Sequence, residues 1–151
     1  MCIRDSCNTL EQASLEIKAL NRVFDDRRGC VWGITLTRND EVIGTCSWYD
    51  WSQVNRRVTI GYDLQYAYWG KGIATEAVRV LLDWCFAHLN VHRVQADCTA
   101  GNKGSERVLE KTGFTLEGVW RESSFENGQF VDVKQYGLLE REYYQTEGFP
   151  K

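Results

Sequence analysis

Two glycines flank a lysine where a predicted strand passes into a predicted helix, in the stretch 68–77, YWGKGIATEA. Before it, apolar and polar residues alternate from Val58 to Leu64, the period of a half-buried strand. After it, apolar residues recur every three or four positions as far as Leu89, which indicates an amphipathic helix. Glycine permits a turn with inward-pointing N–H groups, and the first helical turn adds unpaired donors and the positive end of the helix dipole. The stretch therefore predicts either a simple tight turn or a loop that binds phosphate or pyrophosphate.

Two common phosphate motifs do not match this loop. A P-loop would place Ser or Thr directly after Gly70-Lys71, but Gly72 stands there. The dinucleotide fingerprint needs a third small residue where Thr75 stands, within a βαβ unit. What precedes the loop is a hairpin pattern, so a dinucleotide-binding oxidoreductase is the least favoured function.

Composition narrows the class of protein. The 151 residues are enough for one domain with a real core. A net charge of −3 and a pI near 5.4 argue against a broad nucleic-acid surface, and no membrane-spanning run or signal-peptide core is present in the sequence. We therefore expect a cytoplasmic protein without nucleic-acid or membrane partners. The six cysteines contain no Cys-x-x-Cys pair, and His88 and His92 lack metal-ligand spacing, so we expect reduced, buried thiols and no metal.

The order of elements predicts an α/β protein with one mixed (α+β) sheet and helices on both faces. A helix is predicted over 9–24, and three strands with short connections then form an antiparallel meander. A helix of about 16 residues separates Leu64 from the next strand, which is the length of a crossover to a parallel neighbour. The predicted strands lie at 32–36, 42–49, 58–64, 91–98, 114–123 and 129–139.

The last part of the chain carries three local signals. Asn102 is placed to cap a short helix that ends at Thr112, with Gly113 in the position that favours left-handed backbone. Asn127-Gly128 predicts a tight hairpin between the last two strands. The polar segment from Glu140 onward is expected to be loosely held. We therefore expect an unstructured or non-native start at 1–8, one domain over 9–143 and a flexible tail at 144–151.

Two motifs together resemble the GNAT superfamily of acyl-CoA N-acyltransferases, and within it the RimJ/RimL branch. They are the stretch 68–77 and the downstream run 102–114, NKGSERVLEKTGF. The similarity covers about 9–143, and the order of elements matches that superfamily from its second helix onward. Ala67 stands where the family usually carries Gln or Arg. The family's opening strand and first helix have no counterpart, so part of the acceptor-side wall is expected to be missing.

The resemblance implies acetyl-CoA as co-substrate. It implies that backbone amides between Gly70 and Thr75 hold the pyrophosphate, and that the strand end at Leu64 pairs with the pantetheine arm beside a splay between two strands. The expected coenzyme-binding residues are Leu64, Trp69, Gly70, Lys71, Gly72, Ile73, Ala74, Thr75, Asn102 and Ser105. Lys71 faces phosphate or is a solvated loop lysine, and Arg107 and Lys111 reach the coenzyme's phosphates or are solvated.

The resemblance also implies a catalytic serine. From spacing alone, Ser105 is an ordinary first-turn serine and Asn102 a plain N-cap. The family pattern instead places both beside the arm and makes Ser105 the proton donor to the leaving thiolate. Glu122 is the expected general base, with Asp63, Asp132 and a relayed water as alternatives.

The acceptor is expected to be a protein N-terminal α-amine or a small-molecule amine. Neutralising an α-amine of pKa ~7.8 at pH 7.4 costs about 0.5 kcal/mol, against about 4 kcal/mol for a lysine at ~10.4. A site without a strong base therefore suits an N-terminus. The alternative function is a non-catalytic acyl-CoA-binding module of the same fold. The expected oligomeric state is a monomer or a homodimer.

Overall fold

The computed structural model describes residues 29–36 and 41–146, and the helix predicted at 9–24 lies outside these ranges. Within them the chain forms one sheet, three α-helices and a short 3-10 helix at Tyr66–Tyr68. The strands are β1 Gly29–Thr35, β2 Val42–Ser52, β3 Arg57–Leu64, β4 Arg93–Thr99, β5 Thr115–Glu126 and β6 Gln129–Leu139. The helices are α1 Ile73–His88, α2 Lys103–Lys111 and α3 Glu140–Thr146.

The sheet is mixed, as the sequence predicts. Its strands run in the order β1-β2-β3-β4-β6-β5. The pair β3–β4 is parallel and every other pair is antiparallel. Helix α1 supplies the crossover between β3 and β4, because two adjacent parallel strands cannot be joined by a short turn.

Strands β3 and β4 separate along their length. Their pairing covers only Arg57–Thr59 against Arg93–Gln95. Beyond that point β3 still pairs with β2 as far as Leu64, and β4 still pairs with β6 as far as Thr99. We call the resulting gap the splay. Among the described residues it leaves one backbone edge of each strand without a strand neighbour, which is where a ligand with peptide-like groups can bind.

The larger of two hydrophobic clusters among the described residues lies on the face of the sheet that the helices cover. Alternate residues of β3 and β4, among them Val58, Ile60, Val94 and Ala96, are buried there. All three described helices contribute to this core. The prediction of helices on both faces is not settled by these residues, since the predicted helix at 9–24 lies outside the described ranges. Cys46, Cys85 and Cys98 are free and buried in the core, and Cys30 is free and half-buried.

The expectation of a loosely held tail from Glu140 is wrong as far as Thr146. This segment forms α3, and Tyr143 is buried with its ring stacked on Phe86 of α1, at a centroid distance of 4.8 Å. The Tyr143 hydroxyl also donates to Asp83. The segment reads as polar overall, but one buried aromatic ring is enough to hold a short helix against the core.

Candidate active site

The loop between β3 and α1 depends on two left-handed glycines. Gly70 has φ 73° and Gly72 has φ 83°, a backbone conformation that disfavours side chains with a Cβ. The Trp69 indole N–H donates to the Leu64 carbonyl at 2.7 Å, which folds the loop back onto the end of β3. The loop therefore turns sharply and delivers the chain into α1 directly beside the splay.

The turn that leads into α1 borders open space. Gly72 is the N-cap, and no side chain caps the helix. A Cβ placed on Gly70 or Gly72 would meet nothing within 4 Å. Glycine is therefore favoured at both positions by the positive φ of the backbone and not by a lack of space for a side chain. Uncapped first-turn N–H groups and the helix dipole favour an anion at this position.

Helix α2 begins on the other side of the splay. The Asn102 side chain caps it by accepting from the Ser105 backbone N–H at 3.3 Å. The helix end is therefore satisfied by Asn102, as predicted, and the Ser105 hydroxyl is available for another contact. Ser105 is only 4% exposed, so that hydroxyl must find a partner inside the protein.

The partner of Ser105 is Tyr62. The Tyr62 hydroxyl lies 2.8 Å from Ser105 Oγ, and it lies 3.2 Å from the Ser105 carbonyl oxygen, to which it can donate. Tyr62 belongs to the part of β3 that has left β4, so its side chain reaches across the splay to α2. Ser105 also hydrogen-bonds the Cys98 thiol, whose pKa is raised chiefly by burial. The base of the splay is thus a cluster of two hydroxyls and a neutral thiol, in which Ser105 and Cys98 are buried and Tyr62 is half-buried.

The α1 loop and the Tyr62–Ser105 pair belong to a single cavity of about 310 Å³. Its wall combines glycine backbone, aromatic rings, two hydroxyl side chains near α2 and two cations. The lining residues are Tyr62, Leu64, Tyr68, Trp69, Gly70, Gly72, Ile73, Ala74, Thr75, Gly104, Ser105, Arg107, Val108 and Lys111.

Most of the predicted coenzyme residues meet at this cavity. Eight of the ten line it: Leu64, Trp69, Gly70, Gly72, Ile73, Ala74, Thr75 and Ser105. Lys71 does not, and its ammonium lies over the Tyr68 ring at 5.3 Å from the centroid. Asn102 also lies off the wall, where its side chain accepts from the Ser105 backbone N–H. The cations that do line the wall are Arg107 and Lys111.

The structure does not bring Glu122 to the cavity wall. Glu122 is exposed on β5, in a bulge where its φ is 51° and its backbone N–H donates to Asp132 Oδ1 at 2.8 Å. Its alternative Asp63 accepts from the Thr45 hydroxyl and is also exposed. The identity of the base therefore stays a prediction. In the described ranges, no group of three or more His, Cys, Asp or Glu side chains is arranged to hold a metal ion.

Sequence reasoning missed Tyr62. The residue continues the buried phase of Val58, Ile60 and Leu64, so it reads as a core aromatic. Its partner is 43 positions away, and no local pattern predicts that contact. Tyr68, Gly104 and Val108 were also missed as lining residues, although they lie within the two motifs that were recognised.

An open mixed sheet with a splay, an uncapped glycine-flanked helix start and a buried hydroxyl beside them defines a transferase of the acyl-CoA class. A family model described as "Acetyltransferase (GNAT) domain" matches residues 4–115. The chain belongs to this family, which confirms the predicted resemblance. It is an acetyl-CoA-dependent N-acetyltransferase.

Relatives and a solved structure agree with this assignment. The chain is 37% identical over 134 residues to the "Uncharacterized N-acetyltransferase p20" of Bacillus licheniformis, covering 89% of this chain and 75% of that protein. It is 36% identical over 122 residues to the "Putative ribosomal N-acetyltransferase YdaF" of Bacillus subtilis, covering 81% and 66%. Its fold matches that of Mycobacterium smegmatis RimJ in complex with CoA-disulfide, with a TM-score of 0.81, 24% identity and coverage of 91% and 69%. These relatives are in keeping with the RimJ/RimL branch. No described helix is long and apolar enough to span a membrane.

Proposed function

We propose that the chain transfers the acetyl group of acetyl-CoA to a protein N-terminal α-amine, with small-molecule amines as the second acceptor class. The observation that carries this proposal is the single cavity that joins the Gly70–Thr75 loop to the buried Ser105 hydroxyl. A phosphate-binding loop at one end and a proton donor at the other suit a coenzyme whose pyrophosphate and sulfur are joined by an extended arm.

The coenzyme occupies the cavity in this proposal. The amides of the loop and of the first turn of α1 hold the pyrophosphate, as expected of an uncapped helix start. Arg107 and Lys111 are the cations on the same wall. The arm lies along the splay, where β3 near Leu64 has no β4 neighbour.

Ser105 protonates the leaving thiolate in this proposal. The acceptor nitrogen attacks the thioester carbon directly and forms a tetrahedral intermediate. The carbon–sulfur bond then breaks, the sulfur takes the proton of the Ser105 hydroxyl, and the proton that the nitrogen gives up restores Ser105 through solvent. Because Asn102 caps α2, Ser105 is not needed for that purpose. Its burial on the cavity wall supports a chemical role.

The choice of an α-amine follows from the ionisable groups at the site. Those lining the cavity in the described ranges are two tyrosines, an arginine and a lysine: Tyr62, Tyr68, Arg107 and Lys111. An acceptor that is easily neutralised near pH 7.4 suits such a wall, because neutralising an α-amine costs only about 0.5 kcal/mol against about 4 for a lysine. The relative with a ribosomal name supports a protein acceptor.

The test is amine-dependent release of free CoA from acetyl-CoA. Three acceptors are compared: a peptide with a free N-terminus, the same peptide N-terminally blocked but carrying a lysine, and spermidine. The proposal predicts release with the free N-terminus and little with the blocked peptide. Release with spermidine alone would move the acceptor to small amines. No release with any acceptor, while acetyl-CoA still binds, would favour the non-catalytic binding module.

Two variants assign the residues. Ser105→Ala is expected to lower kcat by about tenfold or more while keeping acetyl-CoA binding, since a general acid contributes 10²–10⁴-fold in typical enzymes. Ser52→Ala is the matched control, because Ser52 is the last residue of β2, accepts from the Asn55 backbone N–H in a local turn and does not line the cavity. Glu122→Gln tests the predicted base, and unchanged activity would remove Glu122 from the mechanism.

A further inference from the structure

We infer that Tyr62 is a positioning residue for acetyl transfer, acting through Ser105 to orient its hydroxyl and to supply the proton that the leaving thiolate takes up. This inference rests on the proposed function. It assigns a role to a residue that neither motif contains.

The geometry singles out the Tyr62 hydroxyl rather than its ring. The hydroxyl lies 2.8 Å from Ser105 Oγ and 3.2 Å from the Ser105 carbonyl oxygen. Both residues line the cavity. A phenylalanine would fill the same space across the splay, so packing alone does not require the oxygen atom.

One of the two donor arrangements of this contact leaves the serine proton available for transfer. Tyrosine carries one hydroxyl proton, and Ser105 offers that proton two acceptors. When the tyrosine donates to Ser105 Oγ, the serine's own proton turns away from Tyr62; when it donates to the Ser105 carbonyl oxygen, the serine hydroxyl donates to Tyr62 instead. Asn102 meanwhile fixes the Ser105 backbone N–H. Asn102 therefore holds Ser105 at its backbone, and Tyr62 and the Cys98 thiol contact its hydroxyl.

The proton transfer balances as follows. The carbon–sulfur bond breaks and its electron pair goes to sulfur, which takes the Ser105 hydroxyl proton. Ser105 takes the Tyr62 proton at the same time. The phenolate is then reprotonated through solvent by the proton that the acceptor nitrogen gives up. One proton leaves nitrogen, one reaches sulfur, and both side chains return to their starting state.

The relative acidities of thiol, phenol and alcohol support a role for the Tyr62 phenol as a proton donor to Ser105. An ordinary thiol has a pKa of about 8.5 and an ordinary tyrosine about 10, whereas bulk water has about 15.7 and an alkyl alcohol resembles water. A serine acting alone would become a poorly stabilised alkoxide. A serine backed by a phenol transfers a proton between groups of much closer acidity, which favours general-acid catalysis.

The first measurement is steady-state kinetics of Tyr62→Phe with the acceptor that the wild type uses. We expect kcat to fall by about tenfold or more, with the KM for acetyl-CoA changed less than about threefold. Tyr144→Phe is the control, because it removes a phenol from α3, away from the cavity. The thermal midpoint of each variant shows whether it is folded.

The second measurement is the double variant Tyr62→Phe/Ser105→Ala. If Tyr62 acts through Ser105, the double variant has the kcat of Ser105→Ala, because residues that act as a unit are not additive. The inference would be overturned if the double variant lost kcat by the product of the two single losses, or if folded Tyr62→Phe kept the wild-type kcat. Either result would leave the proposed function standing. A folded wild type that binds acetyl-CoA but acetylates no amine would overturn both.

Discussion

Lys134 Nζ lies 2.9 Å from Glu106 Oε1, an ion pair that joins β6 to the first turn of α2. The Glu106 side chain is only 7% exposed. It also accepts from Lys103 Nζ at 2.9 Å and from the Gly101 backbone N–H at 3.1 Å. These contacts, led by Lys134 and Lys103, lower the pKa of Glu106 to about 2. One residue away, Ser105 points into the cavity, so the pair fixes the helix that carries the proposed proton donor.

The first prediction concerns Glu106→Gln. The substitution removes the charge from a buried, fully bonded carboxylate, so it is expected to lower the free energy of unfolding by about 1.5–3 kcal/mol at pH 7. Because folding lowers the Glu106 pKa from 4.5, its contribution is complete above that value and is lost as the pH falls towards 2. The difference between wild type and variant in urea unfolding should therefore shrink between pH 5 and pH 3.

A surface carboxylate on the same helix provides the control. Glu110→Gln removes an equal charge from the exposed side of α2 and should change stability by no more than about 0.5 kcal/mol. A difference between wild type and Glu106→Gln that stays constant with pH would contradict the proposed role of the ion pair.

The second prediction concerns Gly44 on β2, which pairs with Leu64. A Cβ at Gly44 would lie 3.0 Å from Leu64 Cα and closer still to the Asp63 carbonyl oxygen. Both are backbone atoms, so the strands must shift. Gly44→Ala is expected to cost about 1–3 kcal/mol and to weaken acetyl-CoA binding, because Leu64 lines the cavity. Thermal unfolding with and without acetyl-CoA measures both effects.

Gly118→Ala is the matched substitution in another strand. A Cβ there would meet nothing within 4 Å, so stability is expected to change by less than about 0.5 kcal/mol. If both substitutions lowered stability and acetyl-CoA binding equally, the close backbone contact at Gly44 would not be the cause of the loss.

The third prediction concerns Cys85 of α1. Burial raises the pKa of its thiol to about 12, and the residue is fully buried. At pH 8 the thiolate fraction is then only ~10⁻⁴, so iodoacetamide should not modify Cys85 in the native protein. Cys30, which is half-buried on β1, should be modified faster. Peptide mapping by mass spectrometry measures the labelling of each cysteine, with urea-unfolded protein as the control. Rapid labelling of Cys85 in the native protein would contradict its burial in the core.

Features encoded by neighbouring residues were predictable from the sequence. The Asn127-Gly128 turn has positive φ at both residues, as a type I′ hairpin requires. The glycine loop, the 16-residue helix and the Asn102 cap were predictable for the same reason, since each depends on residues a few positions apart.

Features set by distant contacts were not predictable. The position of β6 between β4 and β5 and the Tyr62–Ser105 hydrogen bond depend on residues far apart in the chain. Helix α3 was missed because one buried ring, Tyr143, outweighs a polar composition. The predicted base, Glu122, lies off the cavity wall. Its position was not predictable, because a single residue in a strand carries no signal for where a substrate binds.

The most direct test of the central claim is the thermal midpoint with increasing acetyl-CoA. Binding to the folded state must raise the midpoint, by about 5–10 °C at a ligand concentration 100-fold above Kd. Gly72→Glu directs a carboxylate into the open space before α1. Gly128→Glu imposes the same left-handed strain in the distant hairpin, where the added Cβ also meets nothing.

We predict that acetyl-CoA stabilises the wild type and Gly128→Glu to the same extent and leaves folded Gly72→Glu unchanged. Equal stabilisation of all three proteins, or no stabilisation of the folded wild type, would contradict the placement of the coenzyme on this loop.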